Sequence, residues 1–308
     1  MSETPAPGIP AATIVIFRNG PQGEPPELLM VTRARSMSFA GGAAVFPGGR
    51  VDQADRDLAA SLDHALDSDE AAHRIAAIRE TLEETGLAVG LVGAIDAERA
   101  RAARAMLLES DALAPVLEAM DWSLDLDAIV PFARWYPKNE RLPRVFDTRF
   151  YLADLGTGAV DVTVDATENT RLFWSTAQAA LDAADRGELT VIFPTRRNLE
   201  RLARFDDFDA ALRDCAAYPS RTITPFFEER DGEGWICIPG DAGYPVTAER
   251  LKGLERGEPP MRRIERGRMH PRAAGEPTLT RSASRSSCRR SPGSRSRSST
   301  RARRACTR

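Results

Sequence analysis

The sequence predicts an α/β fold, in which short strands and amphipathic helices alternate along the chain. Three observations lead to this class. The stretches 13–17 (TIVIF) and 28–32 (LLMVT) are rich in β-branched and apolar residues, as strands are. The stretch 70–85 repeats apolar residues at the spacing of one helix face. With 308 residues, the chain is long enough for one large domain or two small ones.

The predicted elements follow in chain order. Residues 1–10 form a loose, proline-rich leader, and a glycine-rich loop at 38–52 separates the first two strands from the long helix. Gly86 is expected to end that helix, because glycine is favoured just beyond a helix C-terminus. A helical insertion around 96–120 comes next, with Pro115 marking a break or a new start. The remaining predicted elements are strands at 129–136, 149–153 and 160–164, helices at 175–186 and 195–204, and short strands and turns over 223–245.

Charge is distributed unevenly along the chain. The formal net charge is −3, but residues 262–308 carry a net charge of +13 and the preceding 261 residues a net charge of −16. The acidic body excludes a uniformly basic nucleic-acid-binding protein. We expect the tail at 262–308 to be disordered, because its Arg/Ser-rich composition offers too few apolar residues to form a core.

Two further features limit the class of protein. The chain has no apolar run of 18 residues and no signal-like N-terminus, so we expect a cytoplasmic protein without a membrane span. The four cysteines are isolated from one another and from histidine. This spacing argues against a structural zinc site and against a disulfide framework.

The segment 79–87 (RETLEETGL) carries the most informative chemistry. Glu80, Glu83 and Glu84 occupy positions i, i+3 and i+4 of the predicted helix and therefore share one face. Three like charges at this spacing repel one another, so a bound cation is the simplest explanation for them. Mg²⁺ prefers oxygen ligands, and the backbone at Gly48 and Gly49 in the preceding loop can approach such a metal or a phosphate closely. The alternative is a solvated acidic helix face without a ligand.

This segment resembles the second half of the Nudix box, the Arg-Glu-apolar-x-Glu-Glu-x-Gly-apolar signature of the Nudix hydrolases. The first half, Gly-x5-Glu, is partly matched: Gly49 supplies the glycine, while Asp55 stands where glutamate is expected. An insertion of 16 residues separates the two halves, which resembles the acyl-CoA diphosphatase-like branch. Similarity in the segments PFARWYPKNERLPRVFDTRFYLA and FPTRRNLERLA extends the resemblance over about residues 10–250. It implies a Nudix-type α/β/α sandwich with a mixed sheet, formed by residues 11–255 and carrying the helical insertion.

The resemblance also implies roles for the matching residues. Glu80 and Glu84 are expected to be ligands of Mg²⁺ or Mn²⁺. Glu83 is expected to be a ligand or the base that activates water, and the Gly49 carbonyl a further ligand. Arg79 is expected to orient the carboxylates by charge-assisted hydrogen bonds rather than to touch the substrate.

Other candidates lie outside the box. Glu168 and Glu140 are candidates for an additional acidic ligand or base. Arg33, Arg35 and Gly48 are the predicted substrate-binding residues, because the segment around them is similar to the coenzyme A motif of the family. The alternative for the two arginines is that they are edge-strand charges without a ligand role.

The leading hypothesis is a Mg²⁺-dependent hydrolase of a diphosphate linkage in nucleoside-diphosphate derivatives, with coenzyme A or acyl-CoA as the substrate. Departures from the family pattern at Ser38, Asp55 and Val145 leave a second hypothesis open, a degenerate Nudix fold that serves as a binding or scaffold module. A third hypothesis makes 262–308 an arm that binds nucleic acid. The competing interpretation is that this segment is out-of-frame sequence from a GC-rich gene, since the chain has 40 arginines and 2 lysines.

Overall fold

A computed structural model of the protein describes residues 8–20, 23–34, 40–137, 145–155 and 169–251. All of them belong to one unit of the chain, Met1–Glu258. Within these residues, no helix has the length and apolar character needed to cross a membrane. Several predictions fall outside the described residues: most of the leader, the strand at 160–164, the tail at 262–308, and the candidate site residues Arg35, Glu140 and Glu168.

The described residues form runs of strands separated by runs of helices. The strands are β1 (Ile9–Arg18), β2 (Glu27–Arg33), β3 (Ala44–Val45), β4 (Gly48–Arg50), β5 (Leu91–Val92), β6 (Ser123–Leu124), β7 (Val130–Trp135), β8 (Phe146–Asp154), β9 (Asn169–Thr176), β10 (Thr222–Ile223), β11 (Phe226–Arg230), β12 (Glu233–Cys237) and β13 (Ala248–Arg250). The helices are α1 (Gln53–Ser61), α2 (Ser68–Thr85), α3 (Ala97–Ser110), α4 (Leu113–Met120), α5 (Ala177–Asp185), α6 (Phe193–Leu202) and α7 (Phe208–Ala217).

Eight strands form one mixed sheet in the order β10-β7-β8-β1-β2-β3, with β4 paired to β1 and β9 paired to β2. At its centre, β1 runs parallel to β8, from Ile9 opposite Phe146 to Phe17 opposite Asp154. The same strand is antiparallel to β2 and to β4. The predicted mixed sheet is therefore confirmed.

Apolar side chains cover both faces of this sheet. In β1, Ile14 and Ile16 join the cluster that contains the buried face of α2, whereas Val15 and Phe17 join a second cluster with α5 and α6. Successive residues of a strand point to opposite faces, so a strand buried on both sides is a continuous apolar run. This arrangement confirms the α/β/α sandwich.

The predicted insertion around 96–120 is a pair of helices, α3 and α4. The chain turns between them at Asp111, which adopts a left-handed conformation with φ of +51°. Pro115 lies in the first turn of α4, where the N–H that proline lacks has no partner within the helix. Pro115 therefore belongs to a new helix and does not kink an existing one.

Two helices were not predicted, α1 and α7. The sequence interpretation placed a glycine-rich loop before α1 and no element after it until the long helix. A local signal was present, because the Asp52 backbone N–H donates to Asp55 Oδ2 at 2.9 Å. An acidic residue three positions after an N-terminal aspartate is a common feature of helix starts.

Candidate active site

Helix α2 carries the three glutamates of the motif. It begins after Asp67, whose side chain accepts hydrogen bonds from two backbone N–H groups of the first turn, and it ends at Gly86, where φ is +77°. Ile78 and Leu82 are fully buried in the core. The rest of the last two turns presents the acidic residues Glu80, Glu83 and Glu84, whose common face the spacing predicted.

The glycines of β4 lie directly against two of these carboxylates. The Gly48 N–H donates to Glu84 Oε2 at 3.0 Å. A Cβ atom at Gly49 would lie 2.1 Å from Glu80 Oε1, so any side chain there would displace the Glu80 carboxylate. At Gly48, φ is +150° and a Cβ atom would lie 2.3 Å from the carbonyl oxygen of Ala12 in β1. The two glycines therefore allow the backbone to approach the helix carboxylates.

Arg79 is buried beneath the glutamates and is held by Asp55 of α1. Its Nε and Nη2 atoms donate to the two carboxylate oxygens of Asp55 at 2.9 and 3.0 Å. Nη2 also donates to the carbonyl oxygen of Arg50 at 2.9 Å. Asp55 is only 1% exposed, so this two-pronged contact is shielded from water.

The remaining guanidinium nitrogen of Arg79 faces the carboxylates. Nη1 donates to Glu80 Oε1 at 3.0 Å and to Glu83 Oε2 at 3.4 Å. Burial alone would lower the pKa of Arg79, but the hydrogen bonds and charges of Asp55 and Glu80 raise it, so the guanidinium stays charged. Arg79 thus links α1, β4 and the acidic face of α2.

Asp55 is the functional residue whose importance the sequence interpretation missed. It was treated as a departure from the glutamate of the Nudix box and as support for a degenerate fold. The structure shows that the shorter aspartate still reaches Arg79 with both oxygens. The two residues are 24 positions apart, across the insertion in the box, so no local pattern links them.

The Glu80 carboxylate lies in an environment that disfavours its ionised form. Burial raises the pKa of Glu80 to about 8, and the negative charges of Glu84 and Glu83 act in the same direction against the opposing effect of Arg79. Groups that repel one another in a partly dry site need a further positive charge to ionise together. A bound divalent cation would supply it.

The donor set suits a hard divalent cation. Three carboxylates and a nearby backbone carbonyl at a glycine are oxygen donors, which Mg²⁺ and Mn²⁺ prefer. In the part of the chain that the structure describes, no three side chains of His, Cys, Asp or Glu already converge as the ligands of one metal ion. All three carboxylates are instead engaged, Glu84 by the Gly48 N–H and Glu80 and Glu83 by Arg79.

The other predicted site residue that can be placed is Arg33. Its backbone N–H donates to the Ala43 carbonyl oxygen at 3.0 Å, and its carbonyl accepts from Gly42 at 3.0 Å. Its buried Nε atom has no hydrogen-bond partner among the described residues. Of the predicted site residues, the structure brings together Arg79, Glu80, Glu83, Glu84, Gly48 and Gly49.

Comparison with known proteins shows similarity to Nudix hydrolases, the family that the sequence motif resembles. The family model of the NUDIX domain matches residues 8–107, which include β4, α1, α2 and every contact of Arg79 described above. The chain is 26% identical over 283 residues to acyl-coenzyme A diphosphatase NUDT19 of Gallus gallus, covering 71% of this chain and 73% of that protein. The structure of a NUDIX hydrolase from Alicyclobacillus acidocaldarius matches with a TM-score of 0.56 and 27% identity, covering 67% of this chain and 96% of that chain.

The chain carries a NUDIX domain over residues 8–107 and is similar to Nudix hydrolases over most of its length. These similarities support an enzyme of the Nudix pyrophosphohydrolase type. The interrupted Nudix box is restored in three dimensions, because Asp55 and Arg79 meet although the insertion separates them in sequence. The match to the NUDIX domain ends within α3, and the strands β7 to β10 complete the eight-stranded sheet.

Proposed function

We propose that this Nudix hydrolase cleaves the diphosphate linkage of coenzyme A or an acyl-CoA ester, with Mg²⁺ or Mn²⁺ as its cofactor. The observation that carries the proposal is the packing of the α2 carboxylates against Gly48 and Gly49, with Arg79 fixed by Asp55. The substrate class is supported by the relative from Gallus gallus, which is named an acyl-coenzyme A diphosphatase.

Glu80 and Glu84 are the proposed metal ligands, and the Gly49 carbonyl is a further one. Glu83 is proposed as another ligand or as the base. When bound, the metal polarises the diphosphate and lowers the pKa of the attacking water. The raised pKa of Glu80 supports this assignment, because a cation beside it would favour its ionised form.

The chain's own residues then have separate tasks in hydrolysis. Glu83 accepts a proton from the water whose oxygen bonds to phosphorus, while the bridging P–O bond breaks and its oxygen leaves with the second phosphate group. Arg79 is a positioning residue, because its donors are directed to Asp55, Arg50 and the glutamates. The Gly48 N–H orients the Glu84 carboxylate.

Substrate binding is proposed at Arg33, Arg35 and Gly48. Support comes from the Arg33 Nε–H, which is buried and has no partner among the described residues, so it is suited to donate a hydrogen bond to a phosphate oxygen. Glu168 and Glu140 remain the proposed source of an additional acidic group. Neither residue, nor Arg35, lies in the described part of the chain.

The test is the replacement of Glu83 or Glu84 by glutamine in a Mg²⁺-dependent assay with coenzyme A and acyl-CoA esters. We expect kcat to fall about 10²-fold or more, since a base or a charged ligand is lost without a change in size. Glu109→Gln on the exposed side of α3 is the matched control. Unchanged turnover in E83Q and E84Q would refute the assignment.

The substrate class has its own test. A panel of coenzyme A, acyl-CoA esters, nucleotide sugars and dinucleotides is compared by kcat/KM under the same conditions. The proposal requires the coenzyme A compounds to be preferred. Preference for another diphosphate would agree with the proposed reaction type and refute coenzyme A compounds as the substrate class.

A second candidate function is a Nudix fold that binds its ligand without hydrolysis. It is favoured by the absence, among the described residues, of three side-chain donors already converged on one point. Calorimetric titration with Mn²⁺ separates the two candidates. Binding that is lost in E84Q supports the hydrolase, whereas no carboxylate-dependent binding supports the module.

We further propose that residues 11–255 form the catalytic domain and that 262–308 take no part in hydrolysis. Support comes from the site residues in the described part of the chain, which all lie between Arg33 and Glu84. If the protein contacts nucleic acid, the proposed region is the tail, with its net charge of +13. A chain ending at residue 258 should keep its kcat.

A further inference from the structure

Arg104 of helix α3 contacts the C-terminal end of α2. Its Nε atom donates to the backbone carbonyl oxygen of Glu83 at 2.8 Å. Its Nη2 atom makes a longer contact of 3.5 Å with the backbone carbonyl oxygen of Glu84. These carbonyls are among the last four of α2, which cannot be paired within the helix.

The position of Arg104 is determined by how α3 packs. The helix begins at Asp96, whose side chain accepts a hydrogen bond from the Arg99 N–H at 2.8 Å. Ala103 and Leu107 are buried in the same apolar cluster as the inner face of α2. Arg104 follows this buried stripe directly, so its side chain is directed along the interface between the two helices.

We propose that Arg104 is a positioning residue of the active site, acting on the backbone from which Glu83 and Glu84 project. The inference rests on the proposed function. A guanidinium at a helix C-terminus is favourable, because it meets the negative end of the helix dipole. Here it also holds the two carbonyls that belong to the proposed ligand residues, so the last turn of α2 and its carboxylates keep one position.

This role differs from general stabilisation of α2. A residue that only stabilises the helix would lower the folded fraction and leave each folded molecule unchanged. A positioning residue changes the folded molecule, because a small displacement of ligand groups weakens metal binding and lowers the reaction rate. The two roles therefore separate when metal affinity and kcat are expressed per folded enzyme.

The experiment compares Arg104→Met, Arg104→Lys and Arg104→Gln with the wild-type chain. Arg101→Met, on the exposed side of the same helix, is the matched control for loss of one arginine. The measurements are Mn²⁺ binding by calorimetry without substrate, kcat and KM with Mg²⁺, and thermal unfolding for the folded fraction. Arg104→Gln replaces Arg104→Met if the latter does not fold, because glutamine keeps two N–H donors.

We expect R104M to weaken Mn²⁺ binding and to lower kcat by about tenfold each, the usual range for groups that orient metal ligands. R104K should recover most of the loss, since an ammonium group still donates to a carbonyl, and R101M should match the wild type. Unchanged Mn²⁺ affinity and kcat per folded R104M enzyme would overturn the inference. So would an equal effect in R101M, which would indicate a long-range charge effect.

The outcome also distinguishes this inference from the proposed function. If the wild type binds Mn²⁺ but hydrolyses no diphosphate, the proposed function fails, while weaker Mn²⁺ binding in R104M still supports the positioning role. If the wild type is active and R104M equals it, the positioning role alone fails. A wild type that neither binds Mn²⁺ nor hydrolyses a diphosphate overturns both.

Discussion

The two ends of helix α2 both carry acidic side chains, but in opposite electrostatic settings. In the first turn, Asp69 and Glu70 both ion-pair with Arg149 of β8, at 2.6 Å from Arg149 Nη1 to Glu70 Oε2. Arg74 also pairs with Glu70 at 3.0 Å, and Arg56 pairs with Asp69 at 2.8 Å. Three guanidinium groups thus surround two carboxylates, at the helix end where negative charge is favourable.

The last turns present the reverse situation. Glu80 and Glu83 both contact Arg79, which is already held by Asp55. Negative charge near a helix C-terminus opposes the helix dipole, so these glutamates do not stabilise the helix by their position. Charge balance therefore separates the acidic residues of this one helix: Asp69 and Glu70, whose charges are compensated, support the fold, whereas the crowded Glu80, Glu83 and Glu84 are suited to bind a ligand.

The largest expected effect concerns the link that holds the crowded end in place. Asp55→Ala leaves the Arg79 guanidinium buried without its main partner, so we expect the free energy of unfolding to fall by about 3–5 kcal/mol. Equilibrium unfolding in urea measures it. Asp57→Ala on the exposed side of α1 is the control and should cost about 0.5 kcal/mol or less. A D55A chain as stable as D57A would show that the Arg79 contact does not hold the site together.

The three glutamates at the C-terminal end of α2 should lower the free energy of unfolding as pH rises. Because the pKa of Glu80 is raised to about 8 in the folded protein, the folded state holds a proton that the unfolded chain releases near the ordinary value of 4.5. The metal-free wild type therefore loses stability between these two pH values, by about 1.4 kcal/mol for each unit of pKa displacement.

Glu80→Gln removes this titration. We expect the difference in unfolding free energy between E80Q and the wild type to shift in favour of E80Q from pH 5 to pH 9 in the presence of a chelator. Urea unfolding at several pH values measures it. A constant difference across this range would contradict the raised pKa, and excess Mn²⁺ should stabilise the wild type more than E80Q.

The smallest effect is expected at the N-terminal end of α2, where the carboxylates are compensated. There the substitution of a glutamate by glutamine should lower the stability, whereas E80Q gains stability relative to the wild type as pH rises. Glu70→Gln loses its ion pairs with Arg74 and Arg149, so we expect stability at pH 7 to fall by about 1.5 kcal/mol. The kcat per folded enzyme should stay at the wild-type value, because Glu70 lies at the far end of the helix. Thermal unfolding and the diphosphatase assay check the two statements. If E70Q is more stable than the wild type, or if its kcat per folded enzyme falls, the two ends of α2 do not differ in their roles as argued above.

Much of the fold was accessible from the sequence because its signals are local. The spacing of apolar residues predicted a helix at 70–85, and α2 spans Ser68–Thr85. Glycine at position 86 predicted where the helix ends, and the short apolar runs predicted the two strands at the sheet centre. The helix α1 was missed because the glycine-rich segment before it was taken as an extended loop.

The site was only partly accessible. The common face of Glu80, Glu83 and Glu84 follows from helix geometry alone. The contact between Asp55 and Arg79 does not, since it depends on how an inserted stretch returns the chain to α2. The same holds for Arg104, which reaches α2 from a separate helix.

The sequence by itself determined the acidic face of α2, because that face follows from residue spacing within one helix. It placed Gly48 and Gly49 in a loop, whereas they belong to the short strand β4, which pairs with β1. Tertiary structure decided which groups meet this face: Gly48 and Gly49 against the carboxylates, and Asp55 beneath Arg79. Those contacts depend on the register of β4 against β1 and on the packing of α1 on α2. No local sequence pattern predicts either of them. Spacing along one helix is set by backbone geometry, whereas the approach of two elements is set by the packing of the whole core.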